Sequence, residues 1–329
     1  MSTDCLIRGL GFHVPANIVT NADLEKIVET SDEWITTRTG IKERRISTGE
    51  ACSDLAAGAA RNALADAGME AEELTHILVA TFTPDHPLPS SACLLENKLG
   101  LRGRFAMDLS AACTGFLYSL ETARGILCMN PEAKVLVAAS EVLSSRTNWA
   151  DRNTCVLFGD GSGAAVVTRA KQGLTGGRIL DTLMSSDGAL GDLLTVRGGG
   201  SGAPLRLGDA VGEDFFIQMQ GQEVFKHAVR SMSAICNELL ERNGLTPDDL
   251  DVVVPHQANI RIIEAVGKKI GVPTEKVFVN VQKYGNTSGA SVPIAMSEAR
   301  AEGCITDGSL VLLTAFGSGF TWGAALVRF

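Results

Sequence analysis

The 329-residue chain lacks several features that would define other classes of protein. No apolar run approaches the roughly 18 residues that a membrane-spanning helix needs. The N-terminal segment Met1-Ser-Thr-Asp-Cys-Leu-Ile-Arg8 has no basic stretch followed by a long apolar stretch, so we expect no signal peptide and a cytoplasmic protein. The eight cysteines form no Cys-x-x-Cys pair, so we expect reduced thiols and no metal site.

Positive charge is also in short supply. The chain has 29 lysines and arginines against 38 aspartates and glutamates, a net charge of -9, which argues against nucleic acid as a partner. What is abundant is apolar residues, at 45%, and glycine, at 35 residues. This composition predicts a large core with many tight turns.

Strand-like and helix-like patterns alternate along the chain. Continuous apolar runs at 135–139 and 310–313 predict strands covered on both faces. The pattern therefore predicts an α/β fold with mostly parallel sheets. Helices are expected at 53–67, 92–99, 115–129, 220–243, 260–270 and 292–302.

The chain repeats itself once. Gly163-Ala-Ala-Val-Val-Thr-Arg169 resembles Gly323-Ala-Ala-Leu-Val-Arg-Phe329, and each follows a glycine-rich turn. We therefore expect an internal duplication, with halves at 1–169 and 170–329.

Three polar residues interrupt apolar runs at points where strands are expected to end. Cys113 opens the apolar helix 115–129, where the helix dipole would favour a thiolate. His256 ends a second run, and Asn286 follows the predicted strand 277–281. Because the carboxyl ends of parallel strands collect at one face of a sheet, we expect the three side chains to converge.

Each residue also has a simpler explanation. Cysteine is commonly buried, a histidine after a strand is often structural, and Gly285-Asn-Thr-Ser-Gly289 is good turn chemistry. The equivalent positions in two halves favour a single site. A Cys-His-Asn set also occurs in papain-like proteases, but the chain has no Cys-Gly-Ser-Cys-Trp segment and its α/β pattern is doubled.

Six segments carry distinctive residue patterns: Thr30-Ser-Asp-Glu-Trp-Ile-Thr-Thr-Arg-Thr-Gly-Ile41, Asp108-Leu-Ser-Ala-Ala-Cys-Thr-Gly-Phe116, Phe158-Gly-Asp-Gly161, Val254-Pro-His-Gln-Ala-Asn259, Gly285-Asn-Thr-Ser288 and Phe316-Gly-Ser-Gly-Phe-Thr-Trp-Gly323. Together they resemble the β-ketoacyl-acyl-carrier-protein synthase III family, the initiating condensing enzymes of bacterial fatty acid synthesis, over essentially the whole chain. The resemblance implies a thiolase-like fold with two duplicated halves in five layers, α-β-α-β-α, and mixed, mostly parallel sheets. It also implies a homodimer.

The resemblance implies a ping-pong Claisen condensation with no tightly bound cofactor. Cys113 takes the acyl group from an acyl-CoA starter, which is a substrate. Malonyl-acyl-carrier-protein then loses carbon dioxide, and its carbanion attacks the acyl-cysteine to give 3-oxoacyl-acyl-carrier-protein. His256 and Asn286 donate hydrogen bonds to the malonyl thioester oxygen, on which negative charge develops. The backbone N–H groups of Cys113 and Ser318 form the oxyanion hole.

Further residues are assigned by the same resemblance. The CoA site is implied to contain Trp34, Arg38, Arg152, Gly221, Phe225 and Asn259. The acidic acyl carrier protein is implied to contact Lys226, Gln257, Arg261, Lys268 and Lys269. Leu88 lies in the loop that reaches the partner subunit's acyl pocket, where many family members have phenylalanine, so longer or branched starters are expected.

Three alternatives remain open at this point. One is a related acyltransferase of the polyketide or quinolone type on the same scaffold. Another is a cysteine-dependent thioesterase, in which His256 would act as a base towards water. The third is a binding protein without activity, against which the intact Cys-His-Asn set argues.

Overall fold

The protein was analysed as a computed structural model, which describes residues 4–329. Nine strands form one continuous sheet: β1 (Cys5–His13), β2 (His76–Ala80), β3 (Phe105–Leu109), β4 (Lys134–Glu141), β5 (Gly161–Arg169), β6 (Gly177–Ser186), β7 (Val252–Pro255), β8 (Leu310–Gly317) and β9 (Thr321–Arg328). The longer helices are α1 (Asp32–Thr39), α2 (Cys52–Ala67), α3 (Ser91–Lys98), α4 (Gly115–Met129), α5 (Gly221–Arg242), α6 (Ile260–Ile270) and α7 (Ser291–Ala301).

Short elements connect these helices and strands. Two small two-stranded sheets pair Ile18–Thr20 with Glu43–Arg45 and Leu194–Thr195 with Gln218–Met219. Four-residue helices lie at Asn21–Leu24, Arg152–Cys155 and Val281–Tyr284. The glycine-rich stretch 198–202 lies in a long surface connection between β6 and α5.

The strand order in the sheet is β7-β8-β9-β6-β1-β5-β4-β2-β3. Parallel pairing occurs at its two ends, between β7 and β8 and within the set β4-β2-β3. The five neighbour pairs in between are antiparallel. The expectation of mostly parallel sheets is therefore wrong, although the sheet is mixed as predicted. Apolar runs report burial on both faces of a strand and carry no information on its direction.

The helices lie in three layers around this sheet. Helices α2 and α3 cover the outer face of β2, β4 and β5, and α5 and α6 cover the outer face of β7, β8 and β9. Helices α4 and α7 lie between the two halves of the sheet and share one core with both. The predicted five-layered thiolase-like arrangement is therefore confirmed.

The expected helices are found within one or two residues of their predicted ends, and 115–129 and 260–270 are found as predicted. The prediction of a strand at 277–281 is wrong. Only a single bridge joins Val277 to Val253, and Val281–Tyr284 forms a helical turn. The proposed boundary between halves falls directly after β5, at Arg169.

Candidate active site

Cys113 lies in a short turn, Ala112–Thr114, that connects β3 to the central helix α4. Its side chain is buried, and the preceding Ala112 has a positive φ of 44°, a conformation that L-residues adopt rarely. Burial raises the pKa of the thiol to about 12, and the nearby Ser288 hydroxyl opposes this rise. The helix start therefore presents the sulfur as predicted, but the group is a thiol at neutral pH.

His256 follows directly on β7 and is buried. Its Nδ1 lies 2.5 Å from the Ser291 hydroxyl, and the Gln257 backbone N–H donates to the same oxygen at 3.2 Å. Since the hydroxyl oxygen already accepts one proton, its own proton is available for Nδ1. This pattern favours the tautomer with the proton on Nε2. Burial lowers the pKa of His256 to about 4, so the ring is neutral at physiological pH.

Asn286 is fixed by both its backbone and its side chain. Its backbone N–H donates to the Leu157 carbonyl at 2.8 Å, and its carbonyl accepts from the Gly159 N–H at 3.0 Å. The side-chain Oδ1 accepts from the Ser288 N–H at 2.9 Å. With its oxygen occupied in this way, the side chain offers its NH₂ group as a hydrogen-bond donor.

Cys113, His256 and Asn286 line one cavity of about 1430 Å³. Ser318, which follows β8, lines it as well. A Cβ placed on the neighbouring Gly317 would lie 2.8 Å from the Cys113 backbone nitrogen, so β8 touches the cysteine turn directly. The structure therefore brings together all four residues that were expected at the reacting centre.

The residues expected to bind CoA line this cavity or lie next to residues that do. Four of them line the cavity: Arg38, Gly221, Phe225 and Asn259. Asn259 caps α6 by accepting from the Arg261 N–H, and its Nδ2 donates to the Arg38 carbonyl at 3.1 Å.

The indole of Trp34 lies next to this group. The guanidinium groups of Arg38 and Arg152 lie 4.6 and 4.8 Å from its ring centroid. Positively charged groups and an aromatic plane are suited to an adenine nucleotide.

The residues expected to meet the carrier protein are on the surface, with one exception. Arg261, Lys268 and Lys269 are exposed on α6, and Lys226 is exposed on α5, where it pairs with Glu223 at 2.7 Å. Gln257 is the exception.

Gln257 is only 1% exposed, and its side chain binds backbone groups on both sides. Its Nε2 donates to the Pro255 and Phe278 carbonyls, and its Oε1 accepts from the backbone N–H groups of Asn280 and Val281. The prediction that Gln257 contacts the carrier protein is therefore wrong, because both polar atoms of the buried side chain are already bound to backbone groups of the chain itself.

Leu88 lies in the connection between β2 and α3 and is 85% exposed. Pro84 and Pro87 of the same connection line the chain's own cavity. Leu88 is thus free of contacts that would bury it within its own subunit.

Sequence reasoning missed three polar residues of the site: Glu141, Ser288 and Ser291. Ser288 and Ser291 follow Asn286 closely and carry no sequence signal of their own. Glu141 ends β4, a strand that is otherwise apolar and buried. The signal that singled out His256, a polar residue at the carboxyl end of a buried strand, applied to Glu141 equally.

Within residues 4–329 the structure contains neither a candidate membrane-spanning helix nor a candidate metal site. No helix there is both long and apolar enough to cross a bilayer. No group of three or more His, Cys, Asp or Glu side chains in this range is placed to hold a metal ion. All eight cysteines are free.

The fold and the cysteine at its central helix define a thiolase-like protein. Matches to the family of 3-oxoacyl-[acyl-carrier-protein (ACP)] synthase III cover residues 107–188, and matches to its C-terminal part cover residues 240–329. The chain belongs to the β-ketoacyl-[acyl-carrier-protein] synthase III family and is an acyltransferase of the initiating condensation in fatty acid synthesis.

Three relatives illustrate the extent of this similarity. The chain is 59% identical over 329 residues to the β-ketoacyl-[acyl-carrier-protein] synthase III of Oleidesulfovibrio alaskensis, covering 100% of both chains. The crystal structure of 3-oxoacyl-[acyl-carrier-protein] synthase III from Aquifex aeolicus is 49% identical and superposes with a TM-score of 0.90, covering 99% of this chain and 100% of that one. The corresponding structure from Pseudomonas aeruginosa is 36% identical, with a TM-score of 0.90 and coverage of 99% and 98%.

Proposed function

We propose that the chain transfers the acyl group of an acyl-CoA starter to malonyl-acyl-carrier-protein, with release of CoA and carbon dioxide, to give 3-oxoacyl-acyl-carrier-protein. One observation carries this proposal: Cys113, His256 and Asn286 line a single cavity, each with the polar group that the reaction needs still available.

In the first half-reaction, the sulfur of Cys113 attacks the thioester carbonyl of the starter. The carbonyl oxygen becomes negatively charged, and the backbone N–H groups of Cys113 and Ser318 stabilise it. The close packing of Gly317 against Cys113 supports this pairing, because it holds the start of the Ser318 segment next to the cysteine. The C–S bond to CoA then breaks, and CoA leaves as a thiol.

In the second half-reaction, His256 and Asn286 stabilise the enolate that forms as carbon dioxide leaves. Both act as neutral hydrogen-bond donors, His256 through Nε2–H and Asn286 through its NH₂ group. The buried positions of the two side chains strengthen these bonds, since little water competes for the oxygen. The enolate carbon attacks the acyl-cysteine and releases the product and the Cys113 thiolate, which is reprotonated.

The acyl-CoA enters from the side of Trp34, where Arg38 and Arg152 contribute positive charge. The adenine lies against the indole, and the pantetheine arm follows the cavity past Asn259, Phe225 and Gly221 towards Cys113. The common cavity that these three residues share with Cys113 supports this path.

The carrier protein docks on the exposed cations of α6, Arg261, Lys268 and Lys269, with Lys226 on α5 beside them. These residues give a locally basic face to a chain of net charge -9. Lys226 contributes less than the others, because its ion pair with Glu223 offsets its charge.

Two chains form a homodimer, in which the exposed Leu88 of each subunit lines the partner's acyl pocket. The eight free thiols fit a cytoplasmic location. Competition among acetyl-, butyryl- and isobutyryl-CoA tests the role of Leu88: use of the larger starters supports a wide pocket, whereas strict preference for acetyl-CoA contradicts it.

The thioesterase alternative is not favoured. It requires His256 to accept a proton from water, but burial lowers the pKa of the ring to about 4 and Ser291 occupies Nδ1. A neutral ring with its proton on Nε2 is suited to donating a hydrogen bond, which the condensation uses.

Mass spectrometry of the intact protein after exposure to acyl-CoA tests the proposal. We expect one acyl adduct on the wild-type chain that persists until malonyl-acyl-carrier-protein is added, and none on Cys113→Ala. An adduct that water removes as fast as it forms would indicate the thioesterase, and an adduct on Cys113→Ala would place the nucleophile elsewhere.

A further inference from the structure

Glu141 is a carboxyl group that the reaction described so far does not use. It is the last residue of β4 and is 0% exposed. Its charge acts on the Cys113 thiol and raises the pKa of that group. Its partners are hydroxyl and backbone N–H groups. They are the Thr83 hydroxyl at 2.6 Å, the Thr81 hydroxyl at 3.1 Å, the Thr83 N–H at 3.2 Å, the Phe82 N–H at 3.3 Å and the Ser288 hydroxyl at 3.3 Å.

The Ser288 hydroxyl connects this carboxyl group to the cysteine. It donates to the Glu141 Oε1 at 3.3 Å, it lines the same cavity as Cys113, and it lies close enough to lower the pKa of the Cys113 thiol. Ser288 has a positive φ of 49°, a conformation that a non-glycine residue keeps only where its surroundings hold it. Ser288 therefore lies between the Cys113 thiol and the Glu141 carboxyl group and is hydrogen-bonded to the latter.

The titratable groups that face Glu141 are two thiols, Cys113 from the turn before α4 and Cys52 from the start of α2. Asp85 is a further carboxyl group whose charge acts on Cys52, and it accepts a hydrogen bond from the Ser53 hydroxyl at 2.7 Å. Burial raises the pKa of Glu141 to about 7, although the hydroxyl and N–H donors oppose this.

Acylation needs a group that takes the cysteine proton. The Cys113 thiol has a pKa of about 12 in its buried position, so the thiolate is scarce at neutral pH. His256 is a poor acceptor, because its Nδ1 is held by Ser291 and its Nε2 carries the proton.

We propose that Glu141 accepts the Cys113 proton through Ser288 while the thiol attacks the starter thioester; the inference rests on the proposed function. The S–H proton passes to the Ser288 oxygen as the Ser288 O–H proton passes to the Glu141 Oε1. The new bond forms between the Cys113 sulfur and the carbonyl carbon. When the C–S bond to CoA breaks, Glu141 returns its proton to the Ser288 oxygen and the Ser288 hydroxyl gives its own proton to the leaving CoA sulfur, so CoA departs as a thiol and Glu141 is again a carboxylate. Glu141 is thus a positioning residue that acts on the thiol only through Ser288.

Two measurements on Glu141→Gln distinguish proton acceptance from a structural effect. The first is the rate of CoA release from acyl-CoA without a malonyl substrate, and we expect a loss of about 10²-fold or more. The second is the rate of iodoacetamide labelling of Cys113, read from its peptide because Cys93, Cys128 and Cys304 are exposed. We expect labelling to stay equal or to increase, since the Glu141 charge raises the pKa of the thiol and its removal favours the thiolate.

Asp160→Asn is the matched control. Asp160 is also buried and is also held by a serine hydroxyl and backbone N–H groups, from Ser144 and Ser47. We expect Asp160→Asn either to leave the rates of CoA release and of Cys113 labelling unchanged or to lower both by the same factor. If CoA release and labelling fall together in Glu141→Gln as well, Glu141 has only a structural role and the proposal is wrong; unchanged CoA release would overturn it equally.

The pH profile gives a second readout that does not depend on the folding of Glu141→Gln. Glu141 must be ionised to accept a proton, so wild-type CoA release should rise as pH increases through about 7. Ser288→Ala keeps the Glu141 carboxyl group but removes the hydroxyl that lies between it and Cys113. The rate of CoA release by this variant should therefore no longer rise as pH increases through about 7. A rise that persists in Ser288→Ala contradicts the proposal. Failure of the wild-type chain to release CoA or gain an adduct would instead contradict the proposed function.

Discussion

At the scale of single residues, the environment of each polar group decides what it can do. Asn286 and His256 could both accept a hydrogen bond in principle. Ser288 N–H occupies the Asn286 oxygen, and the Ser291 hydroxyl occupies the His256 Nδ1. Both side chains therefore face the cavity as donors, which is what a developing enolate requires.

Replacing Ser291 with alanine tests this assignment. We expect condensation to fall by up to roughly a hundredfold, because the imidazole loses the partner that fixes its tautomer and orientation. Acyl-adduct formation on Cys113 should change little. Nitrogen NMR of His256 should show the proton on Nε2 in the wild-type chain and a mixture of tautomers in Ser291→Ala.

Ser297→Ala is the matched control for this prediction, since Ser297 lies on the same helix and its hydroxyl has no hydrogen-bond partner among residues 4–329. A wild-type-like tautomer together with full condensation in Ser291→Ala would show that Ser291 does not orient the ring.

At the scale of secondary structure, the site depends on contacts between elements that are distant in sequence. The cysteine turn before α4 is touched by β8, and the closest point is Gly317. A methyl group at this position would meet Cys113 backbone and Cβ atoms at 2.8–3.2 Å. One of the two elements would have to move.

We therefore expect Gly317→Ala to reduce acylation by about 10²-fold or more, because reacting groups tolerate displacements well below 1 Å. The measurement is CoA release from acyl-CoA. Gly125→Ala, in the middle of α4, is the control, since a Cβ there meets nothing within 4 Å. It should keep full activity and stabilise the chain by about 0.5–1 kcal/mol. Equal activity of the two variants would contradict the close contact.

Helix α6 carries the cations assigned to the carrier protein on one face and buries Ile263, Val266 and Ile270 on the other. Lys269→Glu should raise the KM for malonyl-acyl-carrier-protein several-fold, with a larger effect at low salt. CoA-dependent acylation should be unaffected. Arg61→Glu, on α2 in the opposite outer layer, is the control and should leave both values unchanged. An equal loss in both assays for Lys269→Glu would count against the docking face.

The elements also explain which parts of the structure the sequence could reveal. Helices such as 115–129 were recognised because a long apolar segment between glycine and a polar end has few alternatives. The segment 277–281 misled, because it is apolar like a strand but is buried by packing beside β7 with only one bridge. Strand direction was likewise beyond the sequence pattern, since burial on both faces looks the same in either direction.

For the site, residue type and position revealed Cys113, His256 and Asn286, which stand out in apolar surroundings. Gln257 was assigned to the carrier protein through the family resemblance, whereas in the structure its own amide binds the backbone N–H groups of residues 280 and 281. Glu141 carries the same local signal as His256, a polar residue at the end of a buried strand, but its relation to the cysteine depends on a contact with Ser288, 147 positions away. Such contacts follow from the packing of the two halves and have no local signature.

At the scale of the whole molecule, the nine-stranded sheet has one covered end and one open end. Val277 bridges to Val253 of β7 at one end, whereas β3 lies at the other. Phe105 on β3 is 52% exposed. An open edge with apolar side chains favours pairing with another chain, so we assign the proposed homodimer contact to β3.

Sedimentation velocity tests this assignment. The wild-type chain should sediment as a dimer at micromolar concentration, and Phe105→Asp should shift it towards the monomer by placing a charge in the contact. Ile27→Asp, which changes another exposed apolar residue away from β3, is the control and should stay dimeric. A wild-type monomer, or a dimeric Phe105→Asp, would contradict the proposed contact.

The central layer made by α4 and α7 has a consequence for how the chain can be divided. One helix comes from each half, each carries reactive groups near its first turn, and both are enclosed by strands from both halves. Neither 1–169 nor 170–329 alone can bury the apolar surface of its own central helix. A separated fragment would therefore expose this apolar surface and would lack a complete active site. Catalytic turnover therefore requires both halves to be folded together. A proteolytic cut or truncation that unfolds one half should abolish the activity of the whole chain.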